Sequence, residues 1–305
     1  MRVLRILVLL NCAFALQLQL VIAQERAAVL RGPYLGQEPP GESPQPFAPA
    51  ILTAKGAIHG QIAFHPTGRE IYWIFHTASS AQTPPPIHFV EEVDGGWTAP
   101  SILPFSNEHG ADNISISPDG KRLYFHSRRP WPTALGRQGA TYFEAFRTWY
   151  VERVGSEWGE PTPLYSRLEQ TLAGVSSTLD GTLYTHGIRR ARLRDGRYTE
   201  WEPLGPPLNV GRVLGGNPFV SSDESYLLFN GRWAGRVGYG ILVSFRSRND
   251  RWTEPVNLLE RIGASRGGSQ PIVTPDGKYL FYYADGRFWW TDGAIIEKLR
   301  PAHSR

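Results

Sequence analysis

Cysteine is almost absent: the 305 residues contain one, Cys12. It lies in a leading segment with the marks of removal. Arg2 and Arg5 precede an apolar stretch from Ile6 to Ile22, and Val21-Ile22-Ala23 before Gln24 has the small-x-small form of a signal-peptidase site. The stretch is broken by Asn11, Gln17 and Gln19, which suits a cleaved leader better than a retained membrane anchor. Asn11 ahead of Cys12 also fits a lipoprotein site poorly. The expectation is a signal peptide over residues 1–23, a secreted or periplasmic protein, and no stable membrane span after cleavage. Without Cys12 the chain has no thiol, which excludes thiol nucleophiles, disulfides and zinc sites built on thiolates.

Charge of one sign is also scarce. The net charge is +4, and the two arginines of the first 23 residues leave +2 for the remainder. Nothing in that balance implies a nucleic-acid partner. Strong catalytic motifs are missing as well: there is no Gly-x-Ser-x-Gly, no His-Glu-x-x-His and no Gly-x-x-x-x-Gly-Lys.

What the chain does have is a phrase that returns. Ser117-Pro118-Asp119-Gly120 precedes Leu123-Tyr124-Phe125, and four worn copies surround it: His65-Pro66-Thr67-Gly68 before Ile71-Tyr72-Trp73, Thr178-Leu179-Asp180-Gly181 before Leu183-Tyr184, Ser222-Asp223-Glu224 before Leu227-Leu228-Phe229, and Thr274-Pro275-Asp276-Gly277 before Leu280-Phe281-Tyr282. Measured at the glycine position, the spacings are 52, 61, 43 and 53 residues. In each copy a short apolar run meets a tetrapeptide in which Pro presets a dihedral, Asp bonds its own backbone and Gly tolerates a left-handed turn. A second run rich in Leu, Tyr and Phe follows, so each copy reads as a β-hairpin.

Further on comes another recurring phrase: Trp97-Thr98-Ala99-Pro100, Trp158-Gly159-Glu160-Pro161, Tyr198-Thr199-Glu200-Trp201 and Trp252-Thr253-Glu254-Pro255. Proline cannot serve a ladder on both sides, so these segments read as outer, edge strands. Third runs such as Ile87–Val90, Trp149–Val151 and Ile241–Phe245 lie between hairpin and edge. Four strands per repeat of roughly 40 to 50 residues make a β-propeller blade. The fold expected is all-β: a five-bladed β-propeller, with six blades as the alternative, built of four-stranded antiparallel blades near 59–105, 109–166, 172–209, 214–260 and 266–292. The fifth repeat has no outer phrase, and its tail from Ala294 to Leu299 reads as a short helix or loose cap. Phe47 to Leu52 has the form of an outer strand with no hairpin before it, so it is expected to complete the fifth blade and close the ring. Residues 24–46 read as an extended lead-in, 47–300 as one propeller domain, and Arg128 to Tyr142 as an insertion in the second blade.

These hairpin copies resemble the WD40-like propeller repeat of Pro-Asp type found in TolB-like periplasmic proteins. The resemblance covers most of residues 59–291 and is strongest at 113–127 and 271–283. It departs at Glu224, which stands where Gly is expected, and at Thr67, where Asp is expected. TolB-like proteins are similar only in part, since six blades and an N-terminal domain belong to that pattern and nothing here matches the domain. The resemblance implies a binding or scaffolding role, with an envelope protein partner or a small ligand or carbohydrate at the channel mouth.

In a propeller the inner strand starts, and the second strand ends, on the face opposite the Asp-Gly turns. The turns themselves read as structural, and they lack the residue that separates Asp from Gly in sialidase-type Asp boxes. Inner-strand starts bring His59, Gln61, His109, Asp112, Asn113, Gly174, Asn217, Arg266, Ser269 and Gln270 to that mouth, and second-strand ends bring His76, His126, His186 and Asn230. Five of the eight histidines fall there. Neutral imidazole is a common ligand of Zn, Mn or Fe, so a divalent metal on His59, His109, His126 and His186 is the cofactor reading to weigh against none at all. A metal-dependent or His/Arg-assisted carbohydrate-active enzyme, lyase or hydrolase, is accordingly the alternative to a binding protein. Hydrolysis by paired carboxylates needs two at about 5 to 9.5 Å, and Asp112 is the one carboxylate among the inner-strand starts. Arg128, Arg129, Arg189, Arg190, Arg232 and Arg236 follow the second strands and read either as an anion-binding rim or as part of the repeat.

Overall fold

Each turn phrase folds as its residues dictate. The computed structural model describes residues 30–48, 51–52, 55–81, 84–130, 147–164, 174–209, 215–231, 240–264 and 267–302. In four of the five turns an Asp carboxylate accepts the N–H two residues on: Lys121 to Asp119 at 3.0 Å, Thr182 to Asp180 at 2.9 Å, Ser225 to Asp223 at 2.9 Å and Lys278 to Asp276 at 3.1 Å. A hydroxyl two residues back caps the same carboxylate in three of them, from Ser117, Thr178 and Thr274. In the first turn, where Asp is missing, the ring nitrogen Nδ1 of His65 accepts the N–H of Thr67 at 3.3 Å.

The hairpins these turns close are the inner and second strands of five antiparallel sheets. The sheets run Ala57–Phe64, Glu70–Thr77, His88–Val93 and Ser101–Ile102; Asp112–Ile116, Arg122–Ser127, Arg147–Val154 and Thr162–Pro163; Val175–Ser177, Leu183–Thr185, Arg189–Ala191 and Glu202–Pro203; Gly216–Val220, Tyr226–Gly231, Gly240–Phe245 and Val256–Asn257; and Ser269–Val273, Tyr279–Ala284, Arg287–Asp292 and Gln45–Pro46. The inner strands follow one another around an axis, each beside the next and the fifth beside the first. The protein is a five-bladed β-propeller. In the first four blades the outer strand comes just after its Trp- or Tyr-led phrase.

Five apolar clusters fill the five spaces between neighbouring blades. The one at the closing seam is rich in large rings, with Phe47, Phe64, Phe281, Phe288 and Trp290 all buried. Each buried aromatic takes about 150–250 Å² from water, several kcal/mol before entropy is counted. The strand that closes the ring is Gln45–Pro46, paired with Trp290 and Trp289, and so lies just ahead of the expected Phe47–Leu52. Phe47 adds one bond, its N–H to the Phe288 carbonyl at 3.0 Å, and the chain then turns, with Leu52 N–H returning to Ala48 O at 3.0 Å. Phe47 supplies the anchoring ring while its two predecessors supply the ladder.

The lead-in and the tail are both docked. Trp97 Nε1 donates to Gly32 O at 2.8 Å, and the Tyr34 ring stands 5.0 Å from that of Tyr279 and 5.7 Å from that of Trp290. At the other end a helix, Ala294–Lys298, buries Ile295 and Ile296 against the fourth and fifth blades. Arg300 lies 4.6 Å over the Phe245 ring. No helix among the described residues is long and apolar enough to cross a membrane. Residues 1–29, with the expected leader, and residues 131–146, with most of the expected insertion Arg128 to Tyr142, lie outside the described residues.

Candidate functional site at the channel mouth

Seven residues before each turn glycine position stand Gln61, Asn113, Gly174, Asn217 and Gln270. In four blades this residue is left-handed, at φ 50° for Asn113, 67° for Gly174, 47° for Asn217 and 54° for Gln270. The inner strand slips register there, between Asp112 and Ser115, Gly216 and Phe219, and Ser269 and Ile272; the first blade has its own slip between Ala57 and His59. A bulge re-aims a side chain. A left-handed non-glycine residue costs about 1–2 kcal/mol, less for Asn than for Gln. The fold holds this strain where five inner strands converge, and strained backbone of this kind concentrates at functional sites.

The side chains so aimed meet one another. Gln61 Nε2 donates to Asn113 Oδ1 at 2.7 Å, and Gln61 Oε1 accepts the Ile114 N–H at 3.1 Å. Gly174 makes room for the amides on either side: a Cβ there would stand 3.3 Å from Asn217 Oδ1 and 3.5 Å from Asn113 Oδ1. Gln270 Nε2 lies 2.7 Å from His59 Nε2, which joins the fifth blade to the first.

Two cross-strand pairs then bring the titratable groups together. His59 is paired with His76 in the first blade, their rings 5.4 Å apart, and Asp112 with His126 in the second. Across the blades His76 Nε2 lies 3.1 Å from Asp112 Oδ1, which also accepts the Asn113 N–H at 2.8 Å. One ligating atom each from His59, His76 and Asp112 lie within 4.8 Å of one another. Burial pushes the His59 imidazole below its ordinary pKa, the nearby His76 works the same way, and Asp112 works against them. Burial works to raise Asp112, but the hydrogen bond and charge of His76, with His59 and His126 behind it, hold the carboxyl below the usual carboxylate range. The group therefore holds a neutral imidazole at His59 beside an anionic carboxylate.

The remaining expected site residues divide. His126 Nδ1 lies 3.4 Å from Asn113 Nδ2 at the edge of this network. Asn230 is spent on structure: its Oδ1 accepts the Gln270 N–H at 3.0 Å and its Nδ2 donates to Gly268 O at 3.2 Å, which fixes the bulge of the fifth blade. Two members of the expected metal set stand elsewhere. His186 packs over Gly216 between the third and fourth blades, with its pKa lowered by burial, and His109 turns outward, its Nε2 3.7 Å from Glu108. His109 precedes the first ladder residue, Asp112, and the ladder does not orient it. Arg266 lies outside the described residues, as do Arg232 and Arg236. Arg129 and Arg190 do not form an anion rim. Arg129 donates to Phe105 O at 2.6 Å and stands 5.2 Å over Trp149, and Arg190 pairs with Glu202 and Asp250, each at 2.8 Å.

One residue of the site had no place in the sequence reading. Tyr283 occupies in the fifth repeat the position that His126 and Asn230 hold in theirs; its ring is 6.1 Å from that of His59, and its buried hydroxyl has no hydrogen-bond partner among the described residues. Gly60, beside His59, admits it, since a Cβ there would meet the Tyr283 ring at 2.8 Å. Aligning the fifth repeat to the second would have found it.

A cavity of about 610 Å³ opens at the other end of the axis, among the Asp-Gly turns and the C-terminal helix. Its wall is mostly apolar and hydroxyl, from Ile62, Ile116, Phe219 and Ile272 with Ser115, Ser176 and Ser221, whose hydroxyls are bonded to backbone, and the carboxylates of Asp223 and Glu297 stand at it too. The mouth differs in that imidazole, carboxylate and amide side chains contact one another there.

No family model and no curated protein matches the chain. Among solved structures it is similar to TolB from Acinetobacter baumannii, at 14% identity and a TM-score of 0.46 over 75% of this chain and 53% of that one. The chain thus spans about half the length of that TolB. It is also similar to a glycosyl hydrolase from Bacteroides ovatus, at 11% identity and a TM-score of 0.48 over 82% of this chain and 86% of that one. A third likeness is to a gluconolactonase from Xanthomonas campestris, at 13% identity and a TM-score of 0.44 over 86% of this chain and 99% of that one.

Proposed function

We propose that the protein is a secreted or periplasmic propeller that binds a small hydroxyl-rich ligand, a carbohydrate, at the channel mouth formed by His59, Gln61, His76, Asp112, Asn113 and Gln270. The observation that carries this reading is the strained, left-handed placement of Asn113 and Gln270, which turns their amides into the same space as two histidines and a carboxylate. Amide and imidazole groups donate and accept side by side, which suits hydroxyls that do both. Asp112 is the one carboxylate of this set, so paired-carboxylate hydrolysis has no second member here and binding is favoured over glycoside cleavage. Envelope-protein scaffolding is the competing role within the same fold class.

Saturation-transfer NMR of the full chain against neutral monosaccharides, disaccharides and uronic acids tests the proposal. Transfer to at least one of these classes is expected, with loss in Gln270→Ala and Asp112→Asn while the fold is retained. Transfer that survives both substitutions, or no transfer to any of the panel, overturns it.

A further inference from the structure

We propose that His59, His76 and Asp112 form a binding site for one divalent transition-metal ion, zinc or a metal of similar preference, at the base of the channel mouth. The inference rests on the reading of the mouth as the functional site and gives it a chemical centre.

Geometry comes first. Ligands bonded to zinc at about 2.0–2.1 Å stand about 3.3 Å apart in a tetrahedron and never more than about 4.2 Å apart. The His76–Asp112 edge already measures 3.1 Å, and all three ligating atoms fall within 4.8 Å. Side-chain rotations of a fraction of an ångström to an ångström bring the third ligand in, and the ion replaces the imidazole–carboxylate hydrogen bond it displaces.

The surroundings match the demands of such an ion. A metal-bound imidazole or carboxylate is held by outer partners that fix its orientation. Asp112 Oδ1 has the Asn113 N–H at 2.8 Å, and the Gln270 amide stands 2.7 Å from His59 Nε2, where a half-turn of the amide sets its oxygen to accept the Nε2–H that remains when Nδ1 takes the ion. Those outer partners are the two residues kept in left-handed strain, at φ 50° and 54°. The strain thereby acquires a role: it places the second ring of contacts around a three-ligand centre. Two imidazoles and one carboxylate select a transition metal over calcium or magnesium, which ask for a shell of oxygens. Three protein ligands also leave positions open, so the ion is of the kind that takes a water or a ligand oxygen rather than one that only staples a fold. The Tyr283 ring lies 6.1 Å from that of His59, and its buried hydroxyl has no hydrogen-bond partner among the described residues.

The test is isothermal titration of the chelator-stripped full chain with Zn²⁺, and with Co²⁺ for its visible absorption bands. The expected result is one ion per chain, with His76→Ala and Asp112→Asn each weakening affinity by about 100-fold or more, and with Ca²⁺ and Mg²⁺ failing to compete. His109→Ala is the control and leaves the titration unchanged. Should His76→Ala fail to fold, His59→Gln and the cobalt spectrum of the wild type, which reports nitrogen and oxygen ligands directly, take its place. The proposal is overturned by the absence of stoichiometric binding, by affinity that survives loss of His76 or Asp112 in a folded variant, or by displacement with calcium. Carbohydrate binding that persists in the stripped protein separates the failure of this proposal from failure of the reading it rests on.

Discussion

The two ends of the inner strands follow opposite rules. At the turn end, four blades use the same acid to hold the same N–H, and the residues repeat because each hairpin must close on local interactions alone. At the mouth end the backbone repeats in four blades, with its left-handed residue, but the side chains at the five equivalent positions are Gln61, Asn113, Gly174, Asn217 and Gln270. Positions that are equivalent around the ring converge there on one axis, so five identical residues would crowd, and differences are what build a site. A repeat in sequence thus marks what folds, and its interruption marks what can bind.

Glu224 breaks the rule at the turn end and gives the largest expected effect. It stands in the glycine position at φ 59°, is buried, accepts the Tyr184 hydroxyl at 2.7 Å and is ion-paired with Arg246. The missing glycine of the fourth copy has thus become a tie between the third and fourth blades. Glu224→Ala leaves Arg246 with Asp250 and Tyr184 with Arg190, breaks the buried ion pair, and is expected to cost about 3 kcal/mol in a urea titration. Glu224→Gly loses the same partners but relieves the left-handed residue, so it is expected to be more stable than the alanine variant by about 1 kcal/mol. The reverse order of the two variants would show that left-handed strain at the turn does not govern the difference, and a Glu224→Gly variant as stable as the wild type would show that the tie contributes nothing.

Acidification attacks the turn end as a set. Burial works to raise the carboxyls of Asp119, Asp180, Asp223 and Asp276, and the hydroxyl and N–H groups of each turn outweigh it, so all four lie below the ordinary value. Asp250, gripped first by Arg190 and then by Arg246, is lowered to about 2. A carboxyl that is more acidic in the folded chain contributes stability above its unfolded pKa of about 3.9 and loses it as pH falls through the folded value. The melting temperature is therefore expected to decline gently from neutral pH to about 5, as the unfolded chain takes up protons that His59, His88 and His186, lowered by desolvation, resist, and to fall steeply below about 4. A variant with the four turn acids changed to Asn is expected to start lower and fall less. Single Asp→Ala changes at Asp119, Asp180 and Asp276 are each expected to cost about 1 kcal/mol and to add, since the turns lie in separate blades.

Legibility in the sequence follows the same division. The blades can be read because each turn is local: Pro, Asp and Gly do their work within four residues, and the strand count follows. Closure could be inferred because Phe47 looks like a strand anchor, yet the ladder lies at Gln45–Pro46, two residues with no strand pattern of their own. At the mouth, His59, Asp112, Asn113 and Gln270 were findable from their offset to the turn. The choice of His109 over His76 as a metal ligand was not correctable from that offset. The first blade's second strand runs to Thr77, so its end reaches past the position the other copies use, while His109 lies before the ladder of its own strand begins. Side-chain aim at a bulge depends on register, and register is a property of the paired strands.

The smallest expected effect separates the two ends most sharply. At the turns, left-handed φ is met by glycine in four of five copies, whereas at the mouth Gln270 is kept at φ 54° although glycine would fit the backbone better. Gln270→Gly removes about 1–2 kcal/mol of left-handed strain and gives back about 0.5–1 kcal/mol through the looser unfolded chain, so stability is expected to hold or rise by up to about 1 kcal/mol. The same change deletes the amide that holds His59, and zinc affinity is expected to drop by about 10-fold or more, as for an outer partner of a ligand. Stability that rises while binding falls is the signature of a residue kept for its site. A loss of stability beyond about 1 kcal/mol with binding intact would instead make the Gln270–His59 contact a structural link between the fifth and first blades, and would leave the mouth without its defining asymmetry.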